Sequence, residues 1–194
     1  MKVSLAEFRA MNNLFRQVLQ KWYEFPIFRS FGLGDARIVN QTGDVLEIGC
    51  GSGYGAVLLA SLHPRSYVGV DLTPEQIALA QNAVLDGVQF IVSDATNLSQ
   101  FPTGSKDMVV IFGVLHHIPS WRKVIGECAR VLRPDGRIFL EEPDNSLIDH
   151  CERVFHGGHP GADLSLPALE ACLVANGFKI TGRKRAFSFE HYCA

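Results

Sequence analysis

Glycines stand on alternate positions in the segment VLEIGCGSGYG, residues 45–55, directly behind a short apolar run. Gly49, Gly51 and Gly53 carry no side chain, so a ligand can approach the main chain closely at these positions. The apolar run predicts a buried strand, and AVLLASL after the glycines predicts a helix whose first N–H groups have no partner inside the helix. We therefore expect a ligand to bind at this strand-to-helix turn.

Two kinds of titratable side chain follow later strand-like runs. His116 and His117 come directly after KDMVVIFGVL, and Glu141 and Glu142 end RIFLEE. The ordinary pKa of histidine, near 6.5, suits a general base at neutral pH. Adjacent side chains diverge, so we expect at most one of the histidines to face a site; the alternative for each is a capping or packing role in the loop. For the glutamates we expect ordinary solvation at a strand end, and a base or a substrate contact is the alternative.

The elements that must position these side chains alternate along the chain from residue 44 onward. Apolar strand-like runs alternate with segments of helical period, which predicts a mostly parallel sheet with helices on both faces and right-handed crossovers. One helix is predicted to begin after Thr73, with Pro74 at its first position and Gln76 completing a capping box. RPDG predicts a turn before a fifth strand, and FKITGRKRAF and SFEHYCA predict two closing antiparallel strands.

The composition is that of one soluble globular domain. The chain has 194 residues, of which 47% are hydrophobic and 20% charged, with a formal net charge of −2. This charge gives no general attraction to nucleic acid or to an anionic membrane. No run approaches the roughly 20 apolar residues of a membrane-spanning helix, and the N-terminus lacks the apolar core of a signal peptide. The cysteines form no CxxC pair, so we expect reduced thiols and a cytoplasmic location.

Residues 1–43 precede the alternating pattern and differ from it. An apolar stripe at helical spacing runs from Phe8 to Trp22, and the aromatic, irregular segment YEFPIFRSFGLG follows. Two interpretations stay open: a helix packed on the sheet edge, or a helical lid over a ligand crevice. We favour the lid, because aromatic side chains can bury a small molecule. No linker or repeat divides the chain, so residues 1–194 are predicted to form a single domain, with residues 44–194 as its binding core.

The spacing of the glycines distinguishes between three known kinds of nucleotide-binding loop. A Walker loop needs GxxxxGK[ST], and no such lysine follows. A dinucleotide fold needs GxGxxG, and here the third glycine comes one residue early. Glu47 followed by GxGxG resembles the first motif of the class I S-adenosylmethionine-dependent methyltransferases, in their small-molecule, type 11-like branch. Asp71, SDATNL and the stretch from DMVVIFGV to RIFL resemble later motifs of that family in the same order, over about residues 44–143.

The resemblance implies a Rossmann-like α/β fold, with a seven-stranded mostly parallel sheet, helices on both faces, an antiparallel closing strand and an N-terminal helical lid. It also implies S-adenosyl-L-methionine as the cofactor, and no metal. By position in the first motif, Gly49, Gly51 and Gly53 flank the methionine and ribose parts of the cofactor, and Glu47 meets its amino group.

The later motifs carry the rest of the implied cofactor site. Asp71 would hold the ribose hydroxyls, and Leu72 would pack against adenine. Asp94 and Ala95 would contact the adenine edge, and Phe112 would lie near the sulfonium.

The implied reaction is in-line methyl transfer to a small-molecule acceptor, with His116 and His117 as the predicted catalytic residues. A DNA amino-methyltransferase is disfavoured, because FGVL at 112–115 stands where those enzymes carry an Asn/Asp-Pro-Pro-aromatic turn. A non-catalytic or regulatory S-adenosylmethionine-binding protein stays open as the alternative, and the glycine register disfavours a dinucleotide-dependent oxidoreductase. The sequence predicts neither the acceptor, nor the atom that is methylated, nor the oligomeric state.

Two polar segments late in the chain complete the predictions. HCERVFHGGHPGAD, residues 150–163, carries three histidines and a cysteine but matches no standard zinc spacing. We predict a substrate-covering loop there rather than a metal site, since long loops beyond a strand's carboxyl end tend to be functional. The basic run Arg183-Lys184-Arg185 predicts a solvated strand edge rather than a nucleic-acid patch.

Overall fold

The computed structural model describes residues 18, 20–34, 43–82, 86–144, 164–186 and 188–194. The strands are β1 (Asp44–Ile48), β2 (Ser66–Asp71), β3 (Val88–Val92), β4 (Lys106–Phe112), β5 (Leu132–Pro143), β6 (Gly182–Ala186) and β7 (Phe189–Cys193). The α-helices are α1 (Phe25–Ser30), α2 (Tyr54–Ala60), α3 (Pro74–Ala80), α4 (Trp121–Val131) and α5 (Leu166–Ala175). A π-helical turn (Gln20–Glu24) leads into α1, and a 3₁₀ turn (Leu115–His117) follows β4.

One seven-stranded sheet organises the chain, with the strand order β3-β2-β1-β4-β5-β7-β6. Strands β1 to β5 are parallel, and β7 runs antiparallel to both of its neighbours. This confirms the predicted Rossmann-like fold with an antiparallel closing strand. The order reverses between β1 and β4, and a crevice opens at such a switch point beyond the carboxyl ends of the strands.

Successive residues of the central strands face opposite sides of the sheet, and each side is covered. Leu46 and Ile48 pack in a cluster with the apolar face of α4 and with α5. Val45 packs in a second cluster, with α1 and α2. The two clusters confirm helices on both faces. They also explain why β4 is apolar almost throughout, since a strand with two covered faces does not alternate with polar residues.

Most predicted elements agree with the structure, and the exceptions include the RPDG turn and the capping box at α3. The predicted turn before the fifth strand is wrong, because β5 begins at Leu132 and contains RPDG. Leu132 pairs with Lys106 and Arg137 with Met108, so the β4–β5 ladder is irregular at these four residues. Thr73 is the N-cap of α3, but its side chain makes no capping hydrogen bond. The predicted partner, Gln76, instead turns toward the sheet with the buried face of α3. Its amide Nε2 and Oε1 are buried and have no hydrogen-bond partner among the described residues.

The N-terminal segment is helical in its described part, which corrects two predictions. YEFPIFRSFGLG is not irregular, because most of it lies in the π-helical turn and α1. The prediction of one apolar stripe is wrong at two positions, because Val18 and Trp22 are 45% and 70% exposed. A π-helical turn has wider spacing than an α-helix, and here Gln20 and Glu24 face inward instead. The stripe positions before residue 18 lie outside the described residues, and so does the 150–163 loop.

Phe28 anchors this segment to the sheet. Its fully buried ring contacts the rings of Phe112, Phe139 and His191, with centroids 5.4, 5.8 and 5.8 Å away. These three residues belong to β4, β5 and β7, so the described part of the segment packs across one sheet face.

The basic run on β6 is neutralised by neighbouring acids. Arg183 forms ion pairs with Glu170, at 2.9 Å, and with Glu190, at 2.5 Å, and Arg185 pairs with Asp144. This arrangement agrees with a structural strand edge. Among the described helices, none has the length and apolar character needed to cross a bilayer. The four described cysteines are free thiols.

An ion-pair cluster ties the amino ends of β1 and β4 together, at the sheet edge opposite the switch-point crevice. Asp44 pairs with Arg65 and accepts a hydrogen bond from the Ser66 hydroxyl at 2.7 Å. Arg133 bridges Asp44, at 3.1 Å, and Asp107, at 2.6 Å. The Arg65 guanidinium, with Ser66 and Arg133, holds the pKa of the Asp44 carboxyl well below its ordinary value, although burial opposes the shift.

We expect Asp44→Asn to lower the free energy of unfolding by about 1–2 kcal/mol near pH 7. Because the folded pKa lies below the unfolded one, this stabilisation is complete above the unfolded pKa and is lost as the pH falls through the folded pKa. Urea unfolding should therefore show a difference between the wild type and Asp44→Asn that shrinks below about pH 4. The exposed Asp86 supplies the control, Asp86→Asn. A difference that persists unchanged to about pH 3 would contradict the prediction.

Candidate active site

A crevice opens where β1 and β4 end, at the reversal of strand order. Its wall is made by the glycine turn after β1, the end of β4 and the turn that follows it, and one residue of the N-terminal segment. The lining residues are Gln20, Glu47, Gly49, Cys50, Gly51, Ser52, Tyr54, Gly55, Phe112, Gly113, Val114 and His117. The crevice therefore lies beyond the glycine-bearing strand, where the sequence predicts a ligand to bind.

Gly51 is the glycine whose missing side chain leaves open space. Its φ is +52°, and a Cβ built on it would meet no atom within 4 Å. Gly49 also has a positive φ, but a Cβ there would lie 2.5 Å from Val114 Cγ2. At Gly53 a Cβ would lie 3.0 Å from Ala80 and Phe90. The neighbouring glycines thus allow close packing within the protein, and Gly51 presents bare main chain to the crevice.

Asp71, at the end of β2, holds the glycine turn in place. Its Oδ2 accepts a hydrogen bond from the Gly51 N–H at 3.0 Å, and its Oδ1 accepts one from the Thr73 N–H at 2.8 Å. The side chain is buried and does not line the crevice. Each carboxylate oxygen has a second lone pair, so both retain capacity to accept a further hydrogen bond.

Glu47 brings a buried carboxylate to the crevice wall. Its Oε2 accepts a hydrogen bond from the Tyr67 hydroxyl. A Cβ on Gly55 would overlap Glu47 Oε1, so the glycine at position 55 makes room for this carboxylate. Glu47 and Tyr67 are each only 1% exposed. Gly55, the fourth glycine of the motif, therefore makes room for a buried carboxylate. The spacing of the glycines does not reveal this role.

Glu142 holds the turn after β4. Its Oε1 accepts hydrogen bonds from the Val114 and Leu115 N–H groups at 3.1 and 2.8 Å, and its Oε2 from the His116 N–H at 3.3 Å. The same Oε2 lies 2.7 Å from His116 Nδ1. Both Glu141 and Glu142 are fully buried, so the expectation of ordinary solvation at this strand end is wrong. The buried turn needs an acceptor for its N–H groups, and Glu142 supplies it.

The two histidines have different environments. His116 is buried against Glu142, and His117 lines the crevice. One of the pair faces the site, as expected. Their side chains do not diverge, however, because the 3₁₀ turn brings the ring centroids to 4.0 Å.

The remaining predicted residues lie at the same sheet edge, outside the crevice wall. Asp94 follows β3, is exposed, and accepts a hydrogen bond from the Thr96 N–H at 2.8 Å. Ala95 beside it is buried, and Leu72 is exposed. The Ser93 N–H donates to the Asp71 carbonyl at 2.9 Å, which ties the ends of β2 and β3 together.

Cys50 lies within the glycine turn without the properties of a nucleophile. Burial raises the pKa of its thiol strongly, and the Glu47 and Asp71 carboxylates raise it further. The thiol therefore stays protonated near neutral pH, and its role is packing: a Cβ on Gly69 would lie 2.9 Å from Cys50 Cβ.

The structure adds three residues that the sequence did not single out. Gln20 and Tyr54 line the crevice, and Tyr67 contacts Glu47. Tyr54 directly follows the glycine motif, so its position could have indicated it. Gln20 and Tyr67 reach the site only through the fold, and no local pattern marks either of them.

The residues present fit an adenosyl cofactor with a charged amino group. Space beside Gly51 is open to a ligand, and the adjacent wall carries the Glu47 carboxylate. Asp71 ends the neighbouring strand with two oxygens that can each accept another hydrogen bond. A doubly covered sheet of this order, with this turn at its switch point, defines a nucleotide-type cofactor-binding α/β protein.

Comparison with known proteins finds similarity to methyltransferases. Residues 46–140, just under half of the chain, match the family described as methyltransferase domain. The phthiotriol/phenolphthiotriol dimycocerosates methyltransferase of Mycobacterium leprae is 42% identical over 114 residues, which cover 56% of this chain and 42% of that protein. The 27-O-demethylrifamycin SV methyltransferase of Amycolatopsis mediterranei is 37% identical over 106 residues, which cover 52% of this chain and 39% of that protein.

A solved structure extends the comparison to the whole fold. A SAM dependent methyltransferase from Aquifex aeolicus superposes with a TM-score of 0.78 and 16% identity, over 100% of this chain and 98% of that chain. The chain is therefore similar to methyltransferases in the sequence of residues 46–140, and it shares the fold of a SAM dependent methyltransferase. The matched segment spans about two fifths of the length of the two curated relatives.

Proposed function

We propose that the chain transfers a methyl group from S-adenosyl-L-methionine to an oxygen of a small-molecule or lipid acceptor, in the cytoplasm. The observation that supports this proposal most is that one crevice carries Gly51, Glu47, Phe112 and His117 on its wall. The names of the two relatives support the acceptor class, since one specifies phthiotriol dimycocerosates and the other 27-O-demethylrifamycin SV.

In this proposal the ends of β1 and β2 bind the methionine and ribose parts of the cofactor. When bound, the cofactor supplies an electrophilic methyl group on a positively charged sulfur. Gly51 admits it to the main chain, with Gly49 and Gly53 shaping the turn. Glu47 provides negative charge for its amino group, and Asp71 accepts hydrogen bonds from its ribose hydroxyls.

The adenine end is assigned to the edge formed by β2 and β3. Leu72 is exposed at the end of β2 and offers an apolar surface to the base. Asp94 and Ala95, at the end of β3, provide an acceptor and a close main-chain approach to the adenine edge. The hydrogen bond from Ser93 to Asp71 keeps these two strand ends at a fixed spacing.

At the acceptor end, the chain's own residues position the reactants and manage the proton. Phe112 gives the crevice an apolar wall, which excludes water from the reacting groups. His117 accepts the proton of the acceptor hydroxyl as the oxygen attacks. His116 does not reach the crevice wall and supports His117 through their ring contact, while Glu142 fixes the turn that carries both.

We expect Asp71→Ala to weaken cofactor binding by about thirtyfold, equivalent to about 2 kcal/mol. The substitution removes the acceptor for the ribose hydroxyls and releases the Gly51 N–H that orients the glycine turn. Titration calorimetry with S-adenosylhomocysteine measures the change. Asp86→Ala, at the opposite sheet edge, is the control and should bind as the wild type does. Unchanged affinity in Asp71→Ala would remove this residue from the cofactor site.

The proposal is tested by incubating the full chain with methyl-labelled S-adenosylmethionine and a panel of hydroxyl-bearing apolar acceptors. Label transferred to an acceptor oxygen supports an enzyme. Cofactor binding by calorimetry without transfer to any acceptor would favour the alternative, a regulatory binding protein. Absence of cofactor binding would overturn both.

A further inference from the structure

We propose that Tyr67 is a positioning residue for cofactor recognition. Its hydroxyl orients the Glu47 carboxylate toward the amino group of the cofactor's methionine part. The inference rests on the proposed function, since Glu47 is assigned to that amino group there. Tyr67 lies on β2, outside the crevice wall, so it acts through Glu47 and not by touching the ligand.

The contacts of Glu47 show a carboxylate held on two sides. The Tyr67 hydroxyl donates to Oε2 from the neighbouring strand, where Val45 and Tyr67 are direct partners in the β1–β2 ladder. On the other side, Oε1 occupies the space that a side chain at position 55 would fill. A carboxylate fixed in this way cannot exchange between rotamers without losing a buried hydrogen bond or colliding with α2.

Burial explains why a hydroxyl is needed at this position. An ionised carboxylate that is 1% exposed requires hydrogen bonds to offset its lost hydration. Tyr67 supplies one from within a packed wall, where its ring also contacts Phe90 at a centroid distance of 6.3 Å. The charge of Glu47 is thereby kept at the crevice wall in one orientation, which matches a cationic amino group and not a neutral one.

The test compares two ligands that differ in the methionine part. S-adenosylhomocysteine carries the amino group, and 5′-methylthioadenosine has the same nucleoside without it. We expect Tyr67→Phe to weaken S-adenosylhomocysteine binding by about tenfold, which is about 1.4 kcal/mol, and to leave 5′-methylthioadenosine binding within about twofold of the wild type. The ratio of the two dissociation constants, measured by calorimetry, is the readout. A merely structural role would lower both affinities together.

Two further variants keep the test decisive. Tyr192→Phe is a matched control, because Tyr192 is also buried and donates to a glutamate, Glu170, at 2.9 Å, but on β7. It should leave the ratio unchanged. Glu47→Asp is the positive control, because it shortens the side chain assigned to the amino group and should change the ratio whatever the role of Tyr67.

The outcomes separate this inference from the proposed function. If the wild type binds both ligands and Tyr67→Phe keeps the wild-type ratio, the role of Tyr67 is overturned and the cofactor assignment stands. If Tyr67→Phe does not fold, Tyr67→Leu, which also removes the hydroxyl, is measured instead and its ratio decides in the same way. If the wild type binds neither ligand, the proposed function fails and this inference fails with it.

Discussion

Replacing Gly51 with valine is expected to weaken cofactor binding at least a thousandfold while the chain still folds. A side chain at position 51 would project into the space where the cofactor is proposed to lie, because a Cβ there meets no protein atom within 4 Å. The loss corresponds to more than about 4 kcal/mol of binding free energy. Titration calorimetry with S-adenosylhomocysteine measures the affinity, and urea unfolding measures the fold.

The chain offers a matched control for backbone strain. Gly104 has a φ of +63°, close to the +52° of Gly51, and a Cβ on it would also meet no atom within 4 Å. It lies just before β4, at the opposite sheet edge. Gly51→Val and Gly104→Val should cost similar folding free energy, on the order of 1–3 kcal/mol. If both variants bind the cofactor equally well, the ligand does not approach the main chain at Gly51.

The second large effect is expected at His117. His117→Ala should lower kcat about a hundredfold, within the usual range for loss of a general base, with cofactor affinity unchanged. Cofactor affinity should not change, because His117 lines the crevice at the end of β4, away from the strand ends assigned to adenosine. The measurements are the rate of label transfer to a hydroxyl acceptor and calorimetry with S-adenosylhomocysteine.

A pH profile makes the His117 test specific. The wild-type rate should rise as a histidine loses its proton, and the residual rate of His117→Ala should lack that ionisation. His63→Ala, which removes an exposed histidine in the α2–β2 loop, should leave both rate and profile unchanged. A full rate in His117→Ala would show that the acceptor needs no base from this residue.

The fold was open to prediction because its determinants are local and repeated. Apolar runs of strand length, separated by helical segments, specify a doubly covered parallel sheet. The N-terminal segment could not be predicted in the same way. Whether Trp22 or Gln20 faces inward depends on a π-helical turn, which shifts the buried face without changing the residue types.

The candidate site was predictable in location and less so in its internal contacts. The glycines predict that a ligand can approach the main chain at this turn. In the structure, Gly51 presents its main chain to the crevice. Glu142, in contrast, is an acid at a strand end, and its sequence context is that of a solvated side chain. Its burial follows from the N–H groups of the turn after β4, which meet it only through the pairing of β4 with β5. The link from Tyr67 to Glu47 is equally non-local.

The Glu142 contacts divide the crevice into a rigid part and an adaptable part. A single carboxylate holds three consecutive N–H groups and a histidine ring, so the turn that carries His117 cannot adjust to differently shaped acceptors. Gln20 lines the adaptable part of the crevice, and it lies in the π-helical turn, outside the sheet. We therefore expect substitutions around Gln20 to change the proposed acceptor range while the turn that carries His117 stays in place. Such a division lets one scaffold evolve new specificities without rebuilding its chemistry.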